Sequence, residues 1–220
     1  MARKNSDIYS SLYFEYYAAA LLEDCLPEYY SNIEHIGRNF KPDLKVQQHN
    51  SGIEFTTVYR GTKIQSFYDE YCGKSISIVP QEVIDYLANN NCFFTVDDQK
   101  RVFTLSFPDI LPCSTIEDIY FIIDKKTKIL NKQHYIVFNS QELFIFSDIK
   151  NPSEYAEQLF MYVKSNADFP KHYDIIYILS KRKTLLQFQI AQEICTSIFL
   201  PHNDSFYDSI AFRKAYPERV

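Results

Sequence analysis

The sequence predicts an α/β fold of the mixed, α+β kind: a central mixed β-sheet flanked by helices. Three observations predict it. Segments with helical spacing of apolar residues alternate with short runs rich in Val, Ile, Phe and Tyr. Hydrophobic residues make up 46% and charged residues 23% of the 220-residue chain, enough apolar surface for a packed core. No apolar run approaches the roughly 18 to 20 residues a membrane-spanning helix needs, and MARKNSD leads into a Tyr-rich segment rather than a signal-peptide apolar run. The expected protein is cytoplasmic, with no membrane partner.

The elements follow in order. From Asp7 to Cys25, Leu12, Tyr16, Ala19 or Ala20 and Leu22 recur at helical spacing, with Ser6 or Asp7 as N-cap and Pro27 as the stop. Residues 32 to 40 read as a strand. Pro42 enforces an extended lead-in to DLKVQQ, and Asn50, Ser51 and Gly52 separate this run from IEFTTVY, so residues 43 to 59 form a hairpin. TKIQSFYDEYC reads as a helix from its spacing of Ile64, Phe67, Tyr68 and Tyr71.

Residues 75 to 114 hold SISIVP, a helix opening at Pro80, and the strand-like FFTV and RVFTLSF around a DDQK turn. Some 40 residues rarely build a self-sufficient core, so this stretch reads as an inserted lobe of a single domain spanning 1–220. The core elements are then 7–75 and 114–190. STIEDIYFIIDKKTKIL starts at a capping-box-like Ser114, Thr115 and Glu117, carries Ile116, Ile119, Tyr120 and Ile123 on one face and ends in Lys125, Lys126, Lys128 and Lys132. HYIVF and ELFIFSD read as strands, 152 to 165 as a helix, and 173–180 and 185–190 as strands. The tail from Asp204 shows no assignable pattern.

Composition removes several classes of chemistry. With only 4 glycines there is no Walker loop, no dinucleotide fingerprint and no GxSxG. His35, His49, His134, His172 and His202 show no HxH or HxxxH spacing for zinc, and His49 alone lies near the hairpin, in its turn. Five cysteines, at least 20 residues apart, exclude a CxxC pair and read as buried free thiols. The net charge of −5 does not advertise a basic nucleic-acid surface, although acidic metal ligands and a locally basic rim are compatible with it.

Chemistry concentrates in the hairpin. Pro42 and Asp43 precede one strand, and Ile53, Glu54, Phe55 and Thr56 lie on the next, so both carboxylates can project from one edge and chelate a hard divalent cation. Here the sequence resembles the PD-(D/E)XK nuclease superfamily, whose members place Pro-Asp before one strand and Glu-x-Lys on the next, after a helix that often supplies another Glu. The likeness covers roughly residues 7 to 75. It implies a restriction-endonuclease-like core and a Mg²⁺- or Mn²⁺-dependent endonuclease. Asp43 and Glu54, with the Phe55 carbonyl, would hold the metal, and Glu15 would bind a second ion or a metal-bound water. The other reading of Glu15 is a solvated helix residue.

The family's lysine position is Thr56, and a hydroxyl cannot replace an ammonium that orients water and stabilises developing phosphorane charge. Some members supply that cation from a neighbouring element. Lys63 and Arg60 are the nearest candidates along the chain, with Gln65 a further phosphate or water contact. Lys125, Lys126 and Lys128, and separately Lys181, Arg182 and Lys183, are either solvated ends or phosphate contacts. The resemblance also implies a possible homodimer. The competing class is an interaction protein of defence, phage or toxin–antitoxin type, or a catalytically inactive nuclease fold, either of which would be indifferent to the metal.

Overall fold

A computed structural model describes residues 11–36, 42–58, 60–106, 113–132, 136, 138–165, 170–181 and 183–217. Among them a seven-stranded mixed sheet runs in the order β1 (Ile33–His35), β2 (Leu44–Val46), β3 (Ser51–Val58), β6 (Ser140–Ser147), β7 (Ile175–Ser180), β8 (Thr184–Gln189) and β9 (Ile194–Ile198). β3, β6 and β7 are parallel neighbours and the other pairings are antiparallel. The parallel strands are buried on both faces, and their nearly unbroken apolar runs follow from that.

Alternation along the strands sorts two cores. Ile53, Phe55, Phe144, Phe146 and Tyr177 face α1 (Ser11–Cys25) and α6 (Asp204–Ala215). Val58, Leu143, Ile145, Ile176 and Ile178 face α4 (Ile116–Lys132) and α5 (Ala156–Ser165). The result is three layers, helices over each face of one sheet. α2 (Arg60–Tyr71) follows β3, and its Ile64 joins α3 (Gln81–Asn89) and the antiparallel pair β4 (Phe93–Val96) and β5 (Val102–Ser106) in a third apolar cluster with Val83, Leu87 and Val102.

Several expectations need correction. Of the strand expected over 32–40, the described residues show Ile33–His35, opened by Asn32 with a left-handed φ of 58°; 37–40 lie outside the described residues, as do 1–10 and most of HYIVF. SISIVP, assigned no element from the sequence, holds a 3-10 turn at Ile76–Ile78, capped by the Ser75 hydroxyl. At the start of α4 the reciprocal cap comes from Asp118, whose carboxylate accepts from Thr115 N–H at 2.8 Å, rather than from Glu117. The unassigned tail is α6, and β9 was not foreseen. The thiols are free but not uniformly buried: Cys92 is buried, while Cys72, just past α2, and Cys195, on edge strand β9, are exposed.

Candidate active site

The β2–β3 hairpin positions the carboxylates. Leu44 pairs with Ile53, so the next rung sets Asp43 across from Glu54, and Asn50, with a left-handed φ of 49°, closes the turn. Asp43 is fastened to the neighbouring strand because its Oδ2 accepts from Phe55 N–H at 2.9 Å. Pro42 supports this lead-in from the other side: a Cβ on Gly52 would fall 2.4 Å from Pro42 Cγ and 2.6 Å from the Phe138 ring, so these side chains close over a bare backbone.

Glu54 lies on the α4 side of the sheet, since its neighbours Ile53 and Phe55 face α1. It is only 1% exposed, and its counter-charge comes from α4. Lys126 Nζ donates to Glu54 Oε1 at 2.5 Å and to the Phe55 carbonyl at 3.3 Å. Helical geometry explains the encounter. Ile119, Ile122 and Ile123, then Lys126, then Leu130 follow the i, i+3, i+4, i+7 rule, so Lys126 projects from the apolar stripe that packs on the sheet. Its side chain is 15% exposed, which leaves a buried ion pair with some solvent access.

The other predicted residues scatter around this centre. Thr56 is half-buried, two residues beyond Glu54 on the same side of β3. Lys63 stands over the Tyr86 ring, 4.1 Å from its centroid, and 5.4 Å from that of Phe121, a cation–π arrangement. Gln65 is exposed and donates to Asp69 at 2.8 Å. Arg60 opens α2, and its side chain lies outside the described part of the structure. Lys125 and Lys128 are exposed on α4, Lys125 reaching the Ser66 hydroxyl at 3.3 Å.

Glu15 is buried, not solvated, and its Oε2 meets His35 Nε2 at 2.6 Å. Its helix packs on the opposite face, where Phe14 stacks on Phe55 with 6.2 Å between centroids. Glu15 therefore does not join Asp43 and Glu54. Among the described residues no group of three or more His, Cys, Asp and Glu side chains gathers closely enough to hold a metal.

The donors that do converge suit a hard divalent ion all the same. Glu54, the Phe55 carbonyl and the adjoining Asp43 are oxygen ligands, and Mg²⁺ is commonly held by one or two carboxylates with water completing its shell. Two of these oxygens already hold a cation, the Lys126 ammonium, at the point where they meet. No family model, curated protein or solved structure matches this chain.

Proposed function

We propose that the chain is a Mg²⁺- or Mn²⁺-dependent nuclease of PD-(D/E)XK kind, hydrolysing phosphodiester bonds in DNA or RNA, with Lys126 in the role of the lysine that β3 lacks. One observation carries the reading: an ammonium from α4 reaches both the Glu54 carboxylate and the Phe55 carbonyl. The hairpin supplies the rest, with Asp43 held opposite Glu54 by the Phe55 N–H.

Asp43, Glu54 and the Phe55 carbonyl would hold the ion. When bound, Mg²⁺ polarises the scissile phosphate and lowers the pKa of a coordinated water. The Lys126 ammonium would stand beside the site, able to donate to an oxygen where negative charge develops. Packing of α4 restricts the approach of that ammonium and so preorganises it. Exposed Lys125 and Lys128 on the same helix are the first places to seek phosphate contacts. The free thiols support placing the protein in the cytoplasm.

The test is cleavage of single- and double-stranded DNA and RNA with Mg²⁺ or Mn²⁺ by the wild type and by the Asp43→Ala, Glu54→Ala double variant. Cleavage that requires metal and disappears in a folded variant supports the reading. A folded wild type that cuts none of the four contradicts it and favours an interaction protein.

A further inference from the structure

We propose that the cavity between the last turn of α4 and the starts of β6 and β7 is a subsite for one unstacked nucleobase of the strand being cut. The proposal rests on the nuclease reading and deepens it, because it makes the substrate a single strand or a flipped nucleotide rather than a stacked duplex.

The cavity measures about 230 Å³. That is below the roughly 300 to 1,000 Å³ of sites for drug-sized ligands, and leaves room for one ring system. Leu130, Ile136, Phe138 and Pro170 supply apolar walls, and Gln141 and His172 supply hydrogen-bonding groups. Apolar walls with a few polar groups among them suit a base, since its faces stack and its edge hydrogen-bonds.

Position ties the cavity to the centre. Two residues back from Glu54 along β3 is Gly52, whose backbone lies against the Phe138 ring of the cavity wall. Four residues on from Lys126 along α4 is Leu130, another wall residue. Each path covers about 6 Å, so strand and helix lead from the Glu54–Lys126 contact to the same place. A sugar can bridge such a gap between a phosphate at the centre and its base in the cavity. The Tyr173 hydroxyl donates to the Lys126 carbonyl at 3.5 Å, which links the segment holding His172 to the helix turn holding the ammonium.

The polar groups are arranged for use. His172 Nδ1 is buried with no hydrogen-bond partner among the described residues. A buried ring nitrogen without a partner is costly, and a turn of the imidazole that brought Nδ1 to the cavity would let the edge of a base satisfy it. The Gln141 side chain is held near the rim, its Nε2 donating to the Ile136 carbonyl at 3.3 Å. Asp174 braces the floor by accepting from Gln141 N–H at 2.8 Å. Lys171, also at the cavity, adds a cation suited to the backbone of the same nucleotide.

The test is an NMR titration of the ¹⁵N-labelled full chain, without metal, using the four common nucleoside 5′-monophosphates, with ribose 5-phosphate as the probe that has sugar and phosphate but no base. The nucleotides are expected to shift the Gln141 side-chain amide and the Ile136 and His172 backbone amides. At least one should bind ~10-fold or more tightly than ribose 5-phosphate. His172→Ala and Ile136→Ala should erase that difference while leaving the rest of the spectrum in place. Equal responses to ribose 5-phosphate, or nucleotides that leave these signals unmoved, would overturn the proposal. Cleavage is read separately. Metal-dependent cutting with silent cavity signals removes the base subsite and keeps the nuclease, and base binding without cutting does the reverse.

Discussion

Lys126 and Glu54 are 72 residues apart in the chain and 2.5 Å apart in space, joined across the gap between α4 and β3. Because Glu54 is 1% exposed, the contact bears on folding as well as on chemistry. Removing one partner of a buried pair strands the other charge and costs about 3 to 5 kcal/mol. Lys126→Ala and Glu54→Ala are each expected to lose stability on that scale in urea unfolding. The Glu54→Gln, Lys126→Met double variant should recover most of it yet remain inactive. Single variants as stable as the wild type would show that the pair is not held as described.

Gly52→Ala tests the support beneath Asp43. The new methyl would meet Pro42 Cγ at 2.4 Å and Phe138 at 2.6 and 2.9 Å, closer than carbon atoms approach. Overpacking of this kind costs about 1 to 3 kcal/mol. The expected outcome is a lower unfolding midpoint together with weaker Mn²⁺ binding, because the segment that must give way carries Asp43. A neutral substitution would mean that Pro42 and Phe138 move freely.

Lys63→Ala separates the two candidate lysines. Lys63 lies over Tyr86 and Phe121, an arrangement worth about 0.5 to 1 kcal/mol at a partly exposed site. Its removal should lower stability by that amount and leave metal-dependent cleavage within a few-fold of wild type, measured under the same conditions as Lys126→Ala. A collapse of cleavage in Lys63→Ala would transfer the role from Lys126 to Lys63.

Glu142 sets a pH dependence on the other face of the sheet. It is 3% exposed, accepts from the Tyr30 hydroxyl at 2.6 Å and pairs in register with Ile53. Burial pushes its carboxyl up from 4.5 to about 7, against the opposing hydrogen bonds of Tyr30 and Ser51 and with a further push from Asp174. The unfolded chain therefore gives up this proton first. The neutral group's contribution is complete below pH 4.5 and declines as the pH rises towards 7, by about 3 kcal/mol in all. Glu142→Gln, which keeps an acceptor for Tyr30, should flatten the decline in stability between pH 5 and 8. An unchanged slope would mean that Glu142 is ionised in the fold.

Much of the sheet could be read from the chain because its elements obey simple periods. The hairpin follows from Pro42 and the Asn50 turn, and α4 from its isoleucines. α6 could not be found that way. Only Tyr207 and Ala211 of its residues are buried, it is tied to α1 by tyrosine–carboxylate hydrogen bonds, Tyr13 to Asp208, Tyr17 to Asp204 and Tyr207 to Asp24, and Phe206 and Phe212 spread its apolar residues beyond the Tyr207–Ala211 face. β9 is exposed at an edge and shows no alternation of burial.

At the candidate site, Asp43 and Glu54 were legible and the role of Lys126 was not. Four lysines within Lys125–Lys132 resemble a solvated helix end, and proximity along the chain favoured Lys63. The signal was the helical spacing: Lys126 falls between Ile122 or Ile123 and Leu130 on the buried stripe, whereas Lys125 and Lys128 do not. Glu15 misled for the opposite reason. α1 is covered on two sides, by the sheet and by α6, so burial of Glu15 indicates packing against His35 rather than a place beside Glu54.

The central claim is that Lys126 serves the chemistry while Asp43 and Glu54 hold the metal. It is tested most directly by measuring cleavage rate and Mn²⁺ affinity together in the wild type and Lys126→Ala, at equal folded fraction. The account predicts a rate lower by ~100-fold or more in the variant, with Mn²⁺ bound at least as tightly because the competing ammonium is gone. Equal cleavage rates, or a variant that loses the metal along with the rate, would contradict it.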